Sequence, residues 1–259
     1  MTFVKTGRFK KSILAAAHYL PTRVHSMLNI FSVNSFYGKA QVLNNISFNI
    51  QRGQVVAILG RNGAGKTTTL KSIMQLVIPR TGKVKFFDQD ITGQMPHKVA
   101  KMGLGYVPEE RRIFTDLTVI ENLEVGRQPP RDGTVLWTHD MLFDLFPNLA
   151  ERRNNRGKAL SGGEQQMLTI ARTLMGDPNF VLLDEPSEGI APVIVEQMAN
   201  VIRTLKNEGL TVLLSEQNLH FAKAVADAVI VIEGGEKKFD GSIEELTQNP
   251  EIKAKYLAV

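Results

Sequence analysis

The sequence predicts an α/β fold: a mostly parallel sheet with helices on both faces, joined to an antiparallel β part and interrupted by an inserted helical part. Three observations carry this. Val55 to Leu59 is a continuous apolar run rich in β-branched residues, the pattern of a strand buried on both faces. From residue 163 onward, helix-spaced and strand-like segments alternate, which argues for parallel strands joined by covering helices. Residues 28–50 instead alternate apolar and polar positions, as antiparallel strands with one solvated face do.

Taken in order, residues 1–26 hold Lys5, Arg8, Lys10, Lys11 and Arg23 and no acidic residue, and read as a basic, disordered N-terminal extension. Three other readings stay open for it. The short apolar run Ser12–Leu20 behind Lys10 and Lys11 has the form of a signal-like or surface-binding segment, and Met27 is an alternative start. Two or three antiparallel strands follow within 28–50, then the buried strand 55–59 and a helix from Thr67 to Leu76, stopped before Pro79. A strand at Lys83–Phe87 follows the Thr81-Gly82 turn. Residues 95–166 read as a helical insertion, with helical spacing at Val119 and Leu123 and again at Met141, Leu142, Leu145 and Phe146. The α/β core therefore comprises 27–94 and 167–259. Its second half reads as helix 163–175, strand 180–183, helix 192–207, strand 211–214, helix 218–226 and strand 228–232. Ser242 and Glu245 form a capping box that starts a closing helix.

Composition narrows the function. With 259 residues, 43% hydrophobic and 22% charged, the chain is long enough for one sizeable core and is of globular type. It has no cysteine, so disulfide frameworks and thiolate metal sites are excluded, in keeping with a reducing compartment. The net charge of +5 resides wholly in residues 1–26, and the rest of the chain is neutral. A nucleic-acid-binding body would carry its basic bias in the fold itself. No apolar run reaches the ~18 residues of a membrane span.

Gly60-Arg61-Asn62-Gly63-Ala64-Gly65-Lys66-Thr67 fits the phosphate-binding pattern G-x-x-x-x-G-K-[ST], between a buried strand and a helix. Glycines at 60, 63 and 65 let backbone N–H groups turn inward around a phosphate without Cβ clashes. Lys66 supplies a cation for the β- and γ-phosphates, the Thr67 hydroxyl stands where Mg²⁺ is ligated, and Thr68 belongs with the nucleotide-binding residues. The core is thus predicted to be a P-loop NTPase. Phe180-Val181-Leu182-Leu183-Asp184-Glu185 is an apolar strand ending in two carboxylates. Asp184 fits a Mg²⁺ ligand and Glu185 a general base for the attacking water. Two adjacent carboxylates raise each other's pKa unless a cation sits between them.

Leu160-Ser161-Gly162-Gly163-Glu164 precedes an amphipathic helix. Ser161 and Glu164 alone would make a capping box. Yet two glycines in a first turn cost roughly 0.5–1 kcal/mol each, so something else is gained from them. Bare N–H groups at a helix start offer a second phosphate-binding surface.

Together, the phosphate loop, Leu160–Glu164 and Asp184-Glu185 resemble an ABC ATPase over nearly all of 27–259. The resemblance implies a head-to-tail dimer, in which Ser161, Gly162 and Gly163 of one subunit cap the γ-phosphate of ATP held by the other. It also implies that Tyr37 stacks on adenine. It puts Glu109 where the family usually has a glutamine that senses Mg²⁺ and water, Gln217 where it usually has a γ-phosphate histidine, and Ala191 where it usually has an aspartate. These departures could weaken hydrolysis. Glu185 is nonetheless present, and a glutamine amide still donates to a phosphate oxygen, with little rate change expected through pH 6–7.

The strings VPEERRIF, LSGGEQQM, DEPSEGIAP and SEQN resemble the shorter ATPase subunit of branched-chain amino acid importers, together with related urea and short-chain amide importers. That resemblance implies integral membrane permease subunits and a second ATPase subunit as partners, as a heterodimer or else a homodimer. It further implies an indirect link to a solute-binding protein and a place on the cytoplasmic face of the inner membrane. It makes Glu109–Phe114 a permease-facing surface, where a solvated charged loop is the other reading. A soluble ABC ATPase uncoupled from transport is the competing function. The absence of heptads, of a second motor unit and of a basic face in this chain argues against it.

Overall fold

The computed structural model describes residues 26–131 and 133–256, so the extension read from residues 1–25 lies outside the described residues. The chain opens with β1 (Ser26–Tyr37) and β2 (Ala40–Gln51), an antiparallel pair. The buried β3 (Val55–Leu59) leads into α1 (Lys66–Ile73). Next come β4 (Thr81–Phe86), β5 (Gln89–Asp90), α2 (Pro96–Lys101) and β6 (Leu104–Val107). The helices α3 (Val119–Gly126), α4 (His139–Leu145) and α5 (Pro147–Glu151) form the inserted part and end at α6 (Gly162–Leu174). Strand and helix then alternate through β7 (Phe180–Asp184), α7 (Pro192–Asn207), β8 (Thr211–Glu216), α8 (Leu219–Val225) and β9 (Ala228–Glu233). The described chain closes with β10 (Glu236–Ser242), α9 (Ile243–Thr247) and α10 (Pro250–Tyr256).

The strands form two sheets. Four antiparallel strands run in the order β2-β1-β4-β5, and six run in the order β10-β9-β3-β8-β7-β6. The six are parallel except for β10 on the edge. Period-two geometry sends alternate β3 residues to opposite faces. Val55, Ala57 and Leu59 pack with α6, α7 and α8. Val56 and Ile58 pack with α1 and the antiparallel sheet, through Leu70, Ile73, Leu43 and Ile46. The central strand therefore has no solvated face, which is why it reads as an unbroken apolar run.

One boundary is corrected. The stretch 95–166 is not helical throughout, because Leu104–Val107 is the edge strand of the six-stranded sheet, paired in parallel with β7. Its short Leu-Gly-Tyr-Val run is too brief to show a period. The helical insertion starts only at α3, whose Thr118/Glu121 capping box marks the entry.

Candidate nucleotide-binding and catalytic site

The site is built where β3, β7 and β8 end together. After Leu59 the chain turns at Gly60, where a methyl group would lie 2.3 Å from the Ile232 carbonyl oxygen, so only glycine lets the loop pass β9. Gly65 has φ 110°, open to glycine alone at low cost. It caps α1 with no side-chain bond and there is no acidic residue in the first turn, so the helix's positive end is free for an anion.

Lys66 is buried. Its ammonium donates to the Gly60 and Arg61 carbonyl oxygens at 2.9 and 3.1 Å and lies 3.0 Å from Glu185 Oε1. The next residue, Thr67, donates through Oγ1 to Asp184 Oδ1 at 2.9 Å, across 117 positions of sequence. Two further hydroxyls hold that carboxylate, Ser215 Oγ at 2.7 Å and Tyr106 OH at 3.0 Å. Glu185 sits at φ 45°, its N–H donating to Ser215. A non-glycine residue in this region costs energy and is held only by its surroundings. Gln217 Nε2 donates to Glu185 Oε2 at 2.8 Å and to Glu188 Oε2 at 3.2 Å.

The acids are tuned by one another. Burial opposes ionisation of Glu185, but hydrogen bonds with Glu188, Gln217 and Lys66 hold its carboxyl below the usual range. The same bond from Glu185 pushes Glu188 up to about 7. Glu109 is raised by burial and by the charges of Glu185 and Asp184. Tyr106 is raised by burial and by Asp184, so it remains a phenol that donates. Behind them, burial raises the carboxyl of Glu216, which takes the Ser187 N–H at 3.0 Å and so ties the 185–188 loop to the end of β8.

These groups surround a cavity of about 370 Å³. Asn62, Gly63, Gly65, Lys66, Thr67 and Thr68 form one wall, and Glu109, Glu185 and Glu188 the other. Gly60 contributes its carbonyl to Lys66. Tyr37 is 49% exposed at the end of β1 and forms no part of this wall. Neither do Ser161, Gly162 and Gly163, which start α6. Tyr106, Ser215, Glu188 and Glu216 were missed by sequence reasoning; Tyr106 and Ser215 carry no motif and meet Asp184 only in the fold.

The donor set fits a nucleoside triphosphate and Mg²⁺. A glycine-lined cradle with a free helix start and one buried ammonium accepts phosphate. A threonine hydroxyl already in contact with a carboxylate is a hard-oxygen pair of the kind Mg²⁺ takes.

A family model described as "ABC transporter" matches residues 43–188. The chain belongs to the ABC transporter family. It is 38% identical over 231 residues to the high-affinity branched-chain amino acid transport ATP-binding protein BraG of Pseudomonas aeruginosa, covering 89% of this chain and 99% of the relative. It is also 34% identical to the lipopolysaccharide export system ATP-binding protein LptB of Haemophilus influenzae, over 90% of this chain and 97% of the relative. The fold superposes on the ADP conformation of an ATP-binding cassette of an ABC transporter with TM-score 0.75, at 24% identity, covering 89% of this chain and 98% of that one. A dimeric cassette bound to ADP and Pi matches at TM-score 0.73, with 23% identity and 84% and 99% coverage. This ABC ATPase is thus a subunit of an ATP-hydrolysing family whose members dimerise and pair with membrane permeases. Among the described residues, no helix is long and apolar enough to cross a membrane.

Proposed function

We propose that this ABC ATPase powers import of a small solute, branched-chain amino acids, through a separate integral membrane permease at the cytoplasmic face of the inner membrane. The observation that carries the catalytic part is the constellation of Lys66 on Glu185, Thr67 on Asp184 and Gln217 on Glu185 around one cavity. The solute is supported by the likeness to BraG over that relative's whole length.

The chemistry follows from what each group can give up. ATP phosphates displace Glu185 as the partner of Lys66, which keeps its carbonyl anchors and turns its charge to the β- and γ-phosphates. Thr67 and Asp184 would hold Mg²⁺, which when bound offsets phosphate charge. Glu185, released and kept ionised, accepts a proton from the attacking water. Gln217 stays within reach to donate to Glu185 or to a phosphate oxygen, and Glu109 faces the same space. Tyr37 stacks on the adenine. Ser161, Gly162 and Gly163 act across the interface of a dimer, most simply a heterodimer with a second ATPase subunit. Closure on ATP and reopening after hydrolysis drive the permease.

The test is purification of the tagged full chain from detergent-solubilised native membranes, with mass spectrometry of its companions. Permease subunits, a second ATPase and ATP hydrolysis stimulated by a leucine-loaded binding protein are expected. Co-purification with lipopolysaccharide-export components instead would favour the LptB-like reading, and purely soluble companions would overturn transport.

A further inference from the structure

Glu188 lies on the wall of the phosphate cavity, yet the chemistry above gives it no part. It follows Glu185 by three residues, and the turn between them aims it back at that carboxylate. The Glu188 N–H donates to the Glu185 carbonyl oxygen at 3.1 Å and closes the turn. Glu216 steadies the same turn by taking the Ser187 N–H at 3.0 Å. Gly189, at φ 64°, then leads the chain away. With this backbone, the Glu188 side chain is hydrogen-bonded to that of Glu185.

Gln217, just past the end of β8, joins the two acids. An amide nitrogen has two hydrogens to give, and Nε2 reaches an oxygen of each acid, Glu185 Oε2 at 2.8 Å and Glu188 Oε2 at 3.2 Å. The three side chains thus form a closed ring of hydrogen bonds. Lys66 stands outside the ring, on the other oxygen of Glu185. When phosphate draws Lys66 away, the ring is what still holds the Glu185 side chain. A carboxylate held by a single bond turns about its own torsions, whereas two bonds from different directions fix its plane. A general base works only from within hydrogen-bond reach of its water, so that fixation bears on the rate.

We propose that Glu188 is a positioning residue for ATP hydrolysis, holding the Glu185 carboxylate and the Gln217 amide in place while Lys66 is on the phosphates. It acts as a hydrogen-bonding group and not as a charge. Two observations set that choice. Glu188 shares its wall with Glu109 and Glu185, where one more negative charge would repel a polyphosphate. The bond to Glu185, with burial behind it, pushes Glu188 up to about 7, so Glu188 carries the proton that lets one acid donate to the other. The assignment rests on Glu185 being the base, as read above, and is independent of the transported solute.

The test is steady-state MgATP hydrolysis by the full chain together with the proteins that co-purify with it. Position 188 is exposed, so its variants are expected to fold, with melting temperature as the check. Glu188→Ala should lower kcat by about 10-fold and leave KM for ATP within about twofold. Glu188→Gln keeps a donor and an acceptor without the charge, and should restore kcat to within about twofold of the parent. Because the ring acts as a unit, adding Glu188→Ala to Gln217→Ala should cost less than about twofold more. A parental kcat for Glu188→Ala overturns the proposal. So does a Gln variant as slow as the Ala variant, which would make Glu188 an ionised group. A change in KM in place of kcat, or fully additive losses with Gln217→Ala, overturns it as well. Glu185→Gln separates the two readings. If that variant turns over at the parental rate, the base itself is wrong; if it is slow while Glu188→Ala is parental, the positioning role alone fails.

Discussion

The phosphate cavity and the start of α6, proposed above as a second phosphate surface, are built on opposite plans. In the cavity, polar groups are joined to partners from distant parts of the same chain: Lys66 to Glu185, Thr67 to Asp184, Gln217 to Glu185 and Glu188. At α6 the polar groups close on themselves. Ser161 Oγ accepts from the Glu164 N–H, and the Ser161 N–H donates to Glu164 Oε2 at 2.7 Å. The difference teaches that the cavity is assembled from residues far apart in the chain, whereas the start of α6 is closed by its own first turn and lies outside that cavity.

The strongest way to break this comparison is inside the cavity. Lys66→Ala should abolish ATP binding and hydrolysis, read by fluorescent-nucleotide titration and phosphate release. It also leaves the buried Glu185 carboxylate without its cation, so a lower melting temperature is expected. Next, Glu185→Gln should keep nucleotide affinity and lower hydrolysis by about 10²–10⁴-fold, with a dimer that persists in ATP on gel filtration. Parental hydrolysis by that variant would refute the assigned base.

Ser161→Ala sharpens the contrast. It should leave ATP binding by the monomer intact, cost about 1 kcal/mol through loss of the cap, and remove hydrolysis only under conditions where the dimer forms. Loss of monomer binding would show that α6 serves its own cavity. Tyr106→Phe removes one of three hydroxyls on Asp184 and should cost about 1–2 kcal/mol by chemical denaturation, with weaker metal dependence of the rate.

The smallest effect is electrostatic. Glu188, raised to about 7, binds its proton more tightly when folded than when unfolded. Its contribution to stability is therefore full below the unfolded value near 4.5 and lost as pH rises through 7. Glu185 is shifted the other way, and its contribution is lost as pH falls below its usual range. In the nucleotide-free protein, Glu188→Gln should flatten the decline in melting temperature between pH 5 and 7. An unchanged slope would place the titration elsewhere.

Much of the fold was legible because its signals are local. Val55–Leu59 is apolar at every position since both faces of β3 are covered, and the Ser161/Glu164 and Ser242/Glu245 capping boxes mark the starts of α6 and α9. β6 escaped notice because four residues at a sheet edge show no period, and β10 because its sequence is polar along most of its length. The glycines at 162 and 163 were attributed to phosphate binding alone. In the fold, a methyl group at Gly163 would lie 2.9 Å from Ile194 Cγ2, so packing also favours glycine there, while one at Gly162 would meet only the mobile tip of Arg111.

The sequence by itself determined most of the elements, the phosphate loop and the identity of the residues at the ends of β3 and β7, because each is written in a window of a few positions. Only the tertiary structure decided who touches whom. Parallel pairing of β7 with β8 and β6 brings Ser215 and Tyr106 onto Asp184, residues separated by 31 and 78 positions that no local pattern connects. It also opened a cavity beside Arg172, whose lining carries no Asp or Glu among the described residues, because β6, α3 and α6 meet there from distant parts of the sequence.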